Sequence, residues 1–134
     1  MKIDGAFNAV DIAISGLKAQ NKSMEAISSN VANSRTTDIG NGTPYRRVEA
    51  ILKAGEGDIS GVELDDIAKD MSSFTTVLAP GHPQADANGY LMMPNVDIPV
   101  EMMNLNLASR AYQANAAVLK RYQGMVNTSL ELLR

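Results

Sequence analysis

The chain has 134 residues, the length of one ordinary domain, and only six of them are aromatic, so its core is thin and some of its apolar surface needs cover from a neighbouring chain. The formal charge of −3 comes with no basic face to neutralise phosphates, which excludes a nucleic-acid partner; the acid excess lies in residues 34–95, with nine acidic and five basic side chains. The absence of cysteine excludes a disulfide framework and a thiolate metal site, and no apolar run reaches the roughly 18 residues that membrane insertion needs.

The first element is a long helix. From Asp4 to about Asn33 there is no proline, and Phe7, Val10, Ile14, Leu17, Met24 and Val31 recur at spacings of three and four. Asn21 and Ser28 fill the gaps of that register, so the stripe is a heptad with two polar insertions. Asp4 suits the N-cap, and Gly16 costs up to roughly 1 kcal/mol relative to alanine. Asp4 and Asp11 also interrupt any apolar signal segment, which predicts a chain that is soluble or leaves the cytoplasm without a cleaved signal.

Residues 34–95 hold four of the five prolines and read as a small β-rich insertion. After the turn "GNGTP", the run "YRRVEAIL" places Val48, Ala50 and Leu52 on one face and Arg47, Glu49 and Ile51 on the other. "GVELDDI" alternates in the same way at Val62 and Leu64, and "SFTTVLAPG" and "GYLMMP" are short strands ended by Pro-Gly or proline.

A second long helix closes the chain. "PNVDIPVE" supplies its start, with Asp97 as cap and Pro99 in the first turn, where a missing N–H costs nothing. Leu105, Ala108, Tyr112, Asn115, Leu119, Tyr122, Val126, Ser129 and Leu133 then keep a three-four alternation, flanked by Ala111, Val118, Met125 and Leu132. The expected fold is mainly α: residues 1–33 and 96–134 form helices that pair in a coiled-coil-like core, and residues 34–95 carry a short β-hairpin segment between them.

Sharper chemistries find little support. His82, the one histidine, stands between prolines in "APGHPQAD" and reads as a rigid turn more readily than as part of a catalytic triad with Asp86. The carboxylates of residues 63–70 lack the glycine and ligand spacing of a calcium loop and read as a solvated strand edge that discourages strand pairing. Met92, Met93, Met102, Met103 and Met125 are gap-fillers of a core or an interface, so no cofactor and no small-molecule substrate is expected. Polar residues on the helical stripes differ from these. Asn30 and Asn106 suit solvent exposure, but Asn21, Ser28 and Asn115 fall within the apolar register, where an unpaired buried group costs roughly 1–3 kcal/mol. In coiled coils such residues fix register and partner choice, which makes them candidates for assembly.

The motifs "AISSNVANSRTT", "PYRR" and "PGHPQADANGYLMMPNVDIPVEMMNLNLASRAYQANAAVLKRYQ", in this order, resemble the bacterial flagellar axial proteins that build the rod, hook and hook-filament junction. The short middle segment is similar to that of the proximal-rod members. The resemblance implies a non-enzymatic subunit whose terminal helices form the inner core of a hollow helical tube. It also implies export through the flagellar type III apparatus into the periplasm, and partners among its own copies, other rod proteins and the base of the rod at the MS ring. On the matching motif positions stand Asn30, Asn33, Asn95, Asp97, Ala108, Arg110, Tyr112 and Asn115. With the seam residues Leu17, Met24, Ile27, Ser28, Val31, Leu119 and Tyr122 they form the candidate assembly interface. The alternative is a helical interaction module or chaperone-like adaptor that closes as a dimeric bundle.

Overall fold

A computed structural model describes residues 4–56 and 60–133, with the side chains of the first helix described from Ala9 onward. The Asp4 cap and the Phe7 position of the stripe therefore lie outside the described side chains. Helices α1 (Asp4–Ala32) and α2 (Ile98–Leu132) enclose four strands, β1 (Val48–Ala54), β2 (Val62–Lys69), β3 (Thr75–Leu78) and β4 (Tyr90–Met93). This is the mainly helical fold with a β insertion that the sequence predicts. Asp97 caps α2 as expected, in extended conformation, its carboxylate accepting from the Val100 amide at 3.3 Å.

The two helices run antiparallel. Asn30 meets Glu101, while Gly16 meets Asn115, so a step back along α1 is an equal step forward along α2. On α1 the in-chain seam is made of Ala13, Gly16, Ala19, Ala26, Ile27 and Asn30, all buried. The predicted stripe of larger residues lies to one side of it: Leu17, Met24 and Val31 are half-buried and Ile14 is exposed. Asn21 and Ser28, expected within a buried register, are at the surface and need no partner. Small side chains win the inner position because they let two backbones approach, which larger ones would hold apart. On α2 the predicted seam is closer to the observed one, with Ala108 buried and Leu105, Asn115, Leu119 and Tyr122 half-buried.

Gly16 shows what the close approach requires. A Cβ at this position would stand 2.6 Å from the Asn115 amide nitrogen, so the glycine that weakens the helix locally is the one that admits α2.

The insertion contains two separate antiparallel hairpins, β1 with β2 and β3 with β4. In the first, Val48, Ala50, Leu52 and Ala54 pair with Lys69, Ile67, Leu64 and Val62, and a register shift at Ile51/Leu52 leaves Asp65 as an extra residue on β2. The ribbon lies along α1. Near its tip the Ser15 hydroxyl accepts from the Val62 amide at 3.0 Å and donates to the Ile12 carbonyl at 2.8 Å, and Gly61 sits so close to Ser15 that any side chain there would collide.

Gly124, in α2, has open space around it. Gly124→Ala is expected to raise stability by about 0.5–1 kcal/mol, as alanine does in a helix interior. Gly16→Ala should lose that gain against Asn115, and Asn115→Ala in the same chain should restore it. Urea unfolding of the three variants checks this; equal gains at both glycines would contradict the close packing.

Candidate assembly site

The two fully buried polar side chains among the described residues, Asn30 and Glu101, meet where α1 ends, β1 begins and α2 starts. Asn30 is held by all four of its hydrogen-bonding positions. Its Nδ2 donates to the Val48 carbonyl at 2.8 Å and to Glu101 Oε2 at 3.0 Å, and its Oδ1 accepts from the Val48 amide at 2.9 Å and the Tyr45 hydroxyl at 3.0 Å. The side-chain amide thus pairs with Val48 as a neighbouring strand's peptide would. Solvent exposure, open to Asn30 on sequence grounds, gives way to complete burial, with its amide satisfying both backbone groups of Val48 at the start of β1. Asn106 is exposed.

Glu101 is in the first turn of α2, where the helix dipole favours a carboxylate. Its Oε1 accepts from Arg47 Nε at 2.6 Å. Arg47 extends the network outwards, with Nη1 at 3.1 Å from Glu49 and 3.6 Å from Asp70. Burial works to lower the Arg47 pKa, but its hydrogen bonds to Glu101 and Glu49 prevail and hold it above the ordinary value. The Arg47 amide donates to Asn95 Oδ1 at 2.9 Å, and Asn95 Nδ2 reaches the Asp70 carbonyl at 3.0 Å and the Ser72 hydroxyl at 2.9 Å. Arg46 donates to the same Asp70 carbonyl and to the Ser72 carbonyl, both at 2.9 Å, and covers the Phe74 ring. Backbone and side-chain hydrogen bonds from Ser72 hold the Asp70 carboxyl below its usual range. No buried side-chain nitrogen or oxygen among the described residues lacks a partner.

Other polar candidates are committed to local geometry. Asn33 follows the last helical residue, donating from Nδ2 to the Ser29 carbonyl at 2.9 Å and accepting from the Thr36 hydroxyl at 3.2 Å. Exposed His82 accepts from the Gln84 amide, while Asp86 accepts from the amides of Asn88 and Tyr90. Among the described residues no group of three or more His, Asp or Glu side chains is placed to hold a metal ion.

Comparison with known proteins locates these motifs. Residues 11–37 match the family model described as flagella basal body rod protein, and residues 87–132 match the model of the flagellar basal body rod FlgEFG protein C-terminal region. The flagellar basal-body rod protein FlgC of Salmonella typhimurium is 40% identical over 128 residues, covering 93% of this chain and 96% of the relative. The chain belongs to the flagellar basal-body rod protein family. FlgC of Bacillus subtilis, 34% identical, and FlgC of Borreliella burgdorferi, 32% identical, match over 95% and 97% of the chain and 97% and 99% of their own lengths.

In this rod-family chain the predicted interface residues divide into three groups. In the junction Asn95 holds the Arg47 amide and Asn30 holds the Glu101 carboxylate that Arg47 also binds, while Asn33 closes the end of α1 and Asp97 starts the helix that carries Glu101. Ile27 and Ala108 are buried in the helix seam; Leu17, Met24, Val31, Asn115, Leu119 and Tyr122 are half-buried along it; Ser28, Arg110 and Tyr112 are exposed. Arg47, Glu101 and Tyr45 are the members that sequence reasoning missed. The signal for Glu101 was present, since a charge four residues before Leu105 falls on the apolar register of α2.

Glu101→Ala is expected to cost about 3–5 kcal/mol, because it leaves Arg47 Nε and one Asn30 proton without acceptors in the junction. Asn30→Asp should be comparably severe, placing a second carboxylate beside Glu101 and removing both amide protons. Ser28→Ala, at the surface, should stay within about 0.5 kcal/mol. Denaturant midpoints separate these cases. Lowered in the folded state, the Asp70 pKa contributes stability that is present above its ordinary 3.8 and lost as pH falls through the folded value, so Asp70→Asn should flatten stability on the acid side of pH 3.8.

Proposed function

We propose that this chain is a structural subunit of the flagellar basal-body rod that polymerises through its terminal helices into a hollow shaft transmitting torque. The observation that carries the reading is an apolar stripe left open on α2. Val100, Met103, Leu107, Val118, Met125 and Leu132 lie within about 60° of one another around the helix at ~100° per residue, and are 42, 59, 59, 46, 57 and 83% exposed. The in-chain seam is made on another face of α2, by Ala108 with the half-buried Leu105, Leu119 and Tyr122, so the stripe residues are not needed to close the monomer. Covered by neighbouring subunits, they supply about 25 cal/mol per Å² of apolar area removed from water. Contacts of this kind that are head-to-tail and do not close build a helical polymer.

On this reading the chain is not an enzyme, and its function resides in geometry. It works in the periplasm, reached through the flagellar type III apparatus without a cleaved signal. Its neighbours are its own copies, other rod proteins and the base of the rod at the MS ring. The β-rich segment lies outside the helical core of the rod. Supporting this placement, its ribbon is attached to α1 and has charged residues over much of its exposed surface.

Leu107→Asp provides the test. The side chain is exposed in the monomer, so the substitution should change stability by no more than about 0.5 kcal/mol. Incorporation into basal bodies, measured in a flagellated strain lacking its own copy, should nevertheless be abolished, while Glu56→Lys in the outer segment should be mild. Equal effects of the two substitutions, or a discrete dimer by light scattering at every concentration, would overturn the reading.

A further inference from the structure

Between the ribbon and α2, with α1 as its floor, runs a groove of about 350 Å³. Its apolar lining is mostly small: Ala26 and Ile27 below, Ala50 on the ribbon side, Leu107, Ala108 and Ala111 on the other. Glu49, 59% exposed, stands on the rim with Oε2 on Arg47 Nη1 at 3.1 Å, which leaves Oε1 for a second cation. We infer that this groove receives the C-terminal half of α2 from a second copy of the chain, with Val118 and Met125 as knobs and Arg121 against Glu49. The inference rests on the rod-subunit reading and names the contact between copies that the reading requires.

Three observations select this occupant. First, shape is complementary: the volume accommodates more than one methionine-sized side chain, and Val118 and Met125 project from one face of α2, 46 and 57% exposed. Second, charge is complementary. Arg121 lies on that same helix face, one turn from both knobs, and makes no ion pair among the described residues, whereas the groove rim belongs to the acidic segment of the chain. Third, one copy cannot fill its own groove. Leu107 and Met125 are on the same straight helix, about 27 Å apart at ~1.5 Å per residue. Knobs at one end and a groove towards the other make a heterologous contact that repeats without closing.

The cysteine-free sequence allows a direct test. A chain carrying both Ala50→Cys and Met125→Cys, expressed in a flagellated strain lacking its own copy, should give a ladder of disulfide-linked copies in oxidised basal bodies. The chain with either substitution alone should give no ladder. Glu49→Arg in that background should reduce the ladder several-fold, Arg121→Glu should do the same, and the two together should restore it. Absence of the ladder from basal bodies containing normal amounts of the chain would overturn the inference and leave the rod reading intact. Absence of the chain itself from basal bodies would overturn both.

Discussion

A buried carboxylate organises this molecule. Glu101 is fully removed from water, and the groups that compensate it come from three separated stretches: Arg47 before β1, Asn30 at the end of α1, and the first turn of α2. A charge in that position is tolerated only when its partners are in place. The same condition fixes the angle at which the insertion leaves the helical pair, because Arg47 and Val48 are adjacent in the chain and both are bound to the junction. Hydrophobic packing alone would not set this angle, since the buried face of α1 is mostly alanine and glycine and offers little shape to read.

That division of labour explains the two faces of each helix. Small residues and a polar junction close the monomer, which leaves the larger aliphatic and methionine side chains available elsewhere. A protein that used its largest apolar residues internally would be more stable alone and would have less apolar area to bury on assembly. Family membership and the open stripe of α2 are consistent with this balance.

The helices and strands were legible because each carries a local signal. Pro99 and Asp97 mark the start of α2, alternation marks β1, and Pro-Gly ends β3. The α1 seam was harder. Hydrophobic periodicity locates the most apolar face, and it indicated Ile14, Leu17, Met24 and Val31, but the in-chain neighbour selected the face where backbones could approach. No single-sequence pattern distinguishes a face that packs within the chain from one that packs between chains. Asn30 and Asn95 were found as motif positions, whereas their connection through Arg47 depends on residues far apart in sequence and became visible only in three dimensions.

The pairing of Asn30 with Val48 bears on how the ribbon is held. At its root the ribbon is clamped by a side chain that imitates a third strand, in a place water does not reach. Towards its tip it is tethered by one hydroxyl, Ser15, to a single amide at the surface. The hold is therefore uneven along the described ribbon: Val48 is fixed to the helices through both of its backbone groups, Val62 through its amide alone. In a rod subunit, a ribbon held in this way at its root would turn with the helices that carry it.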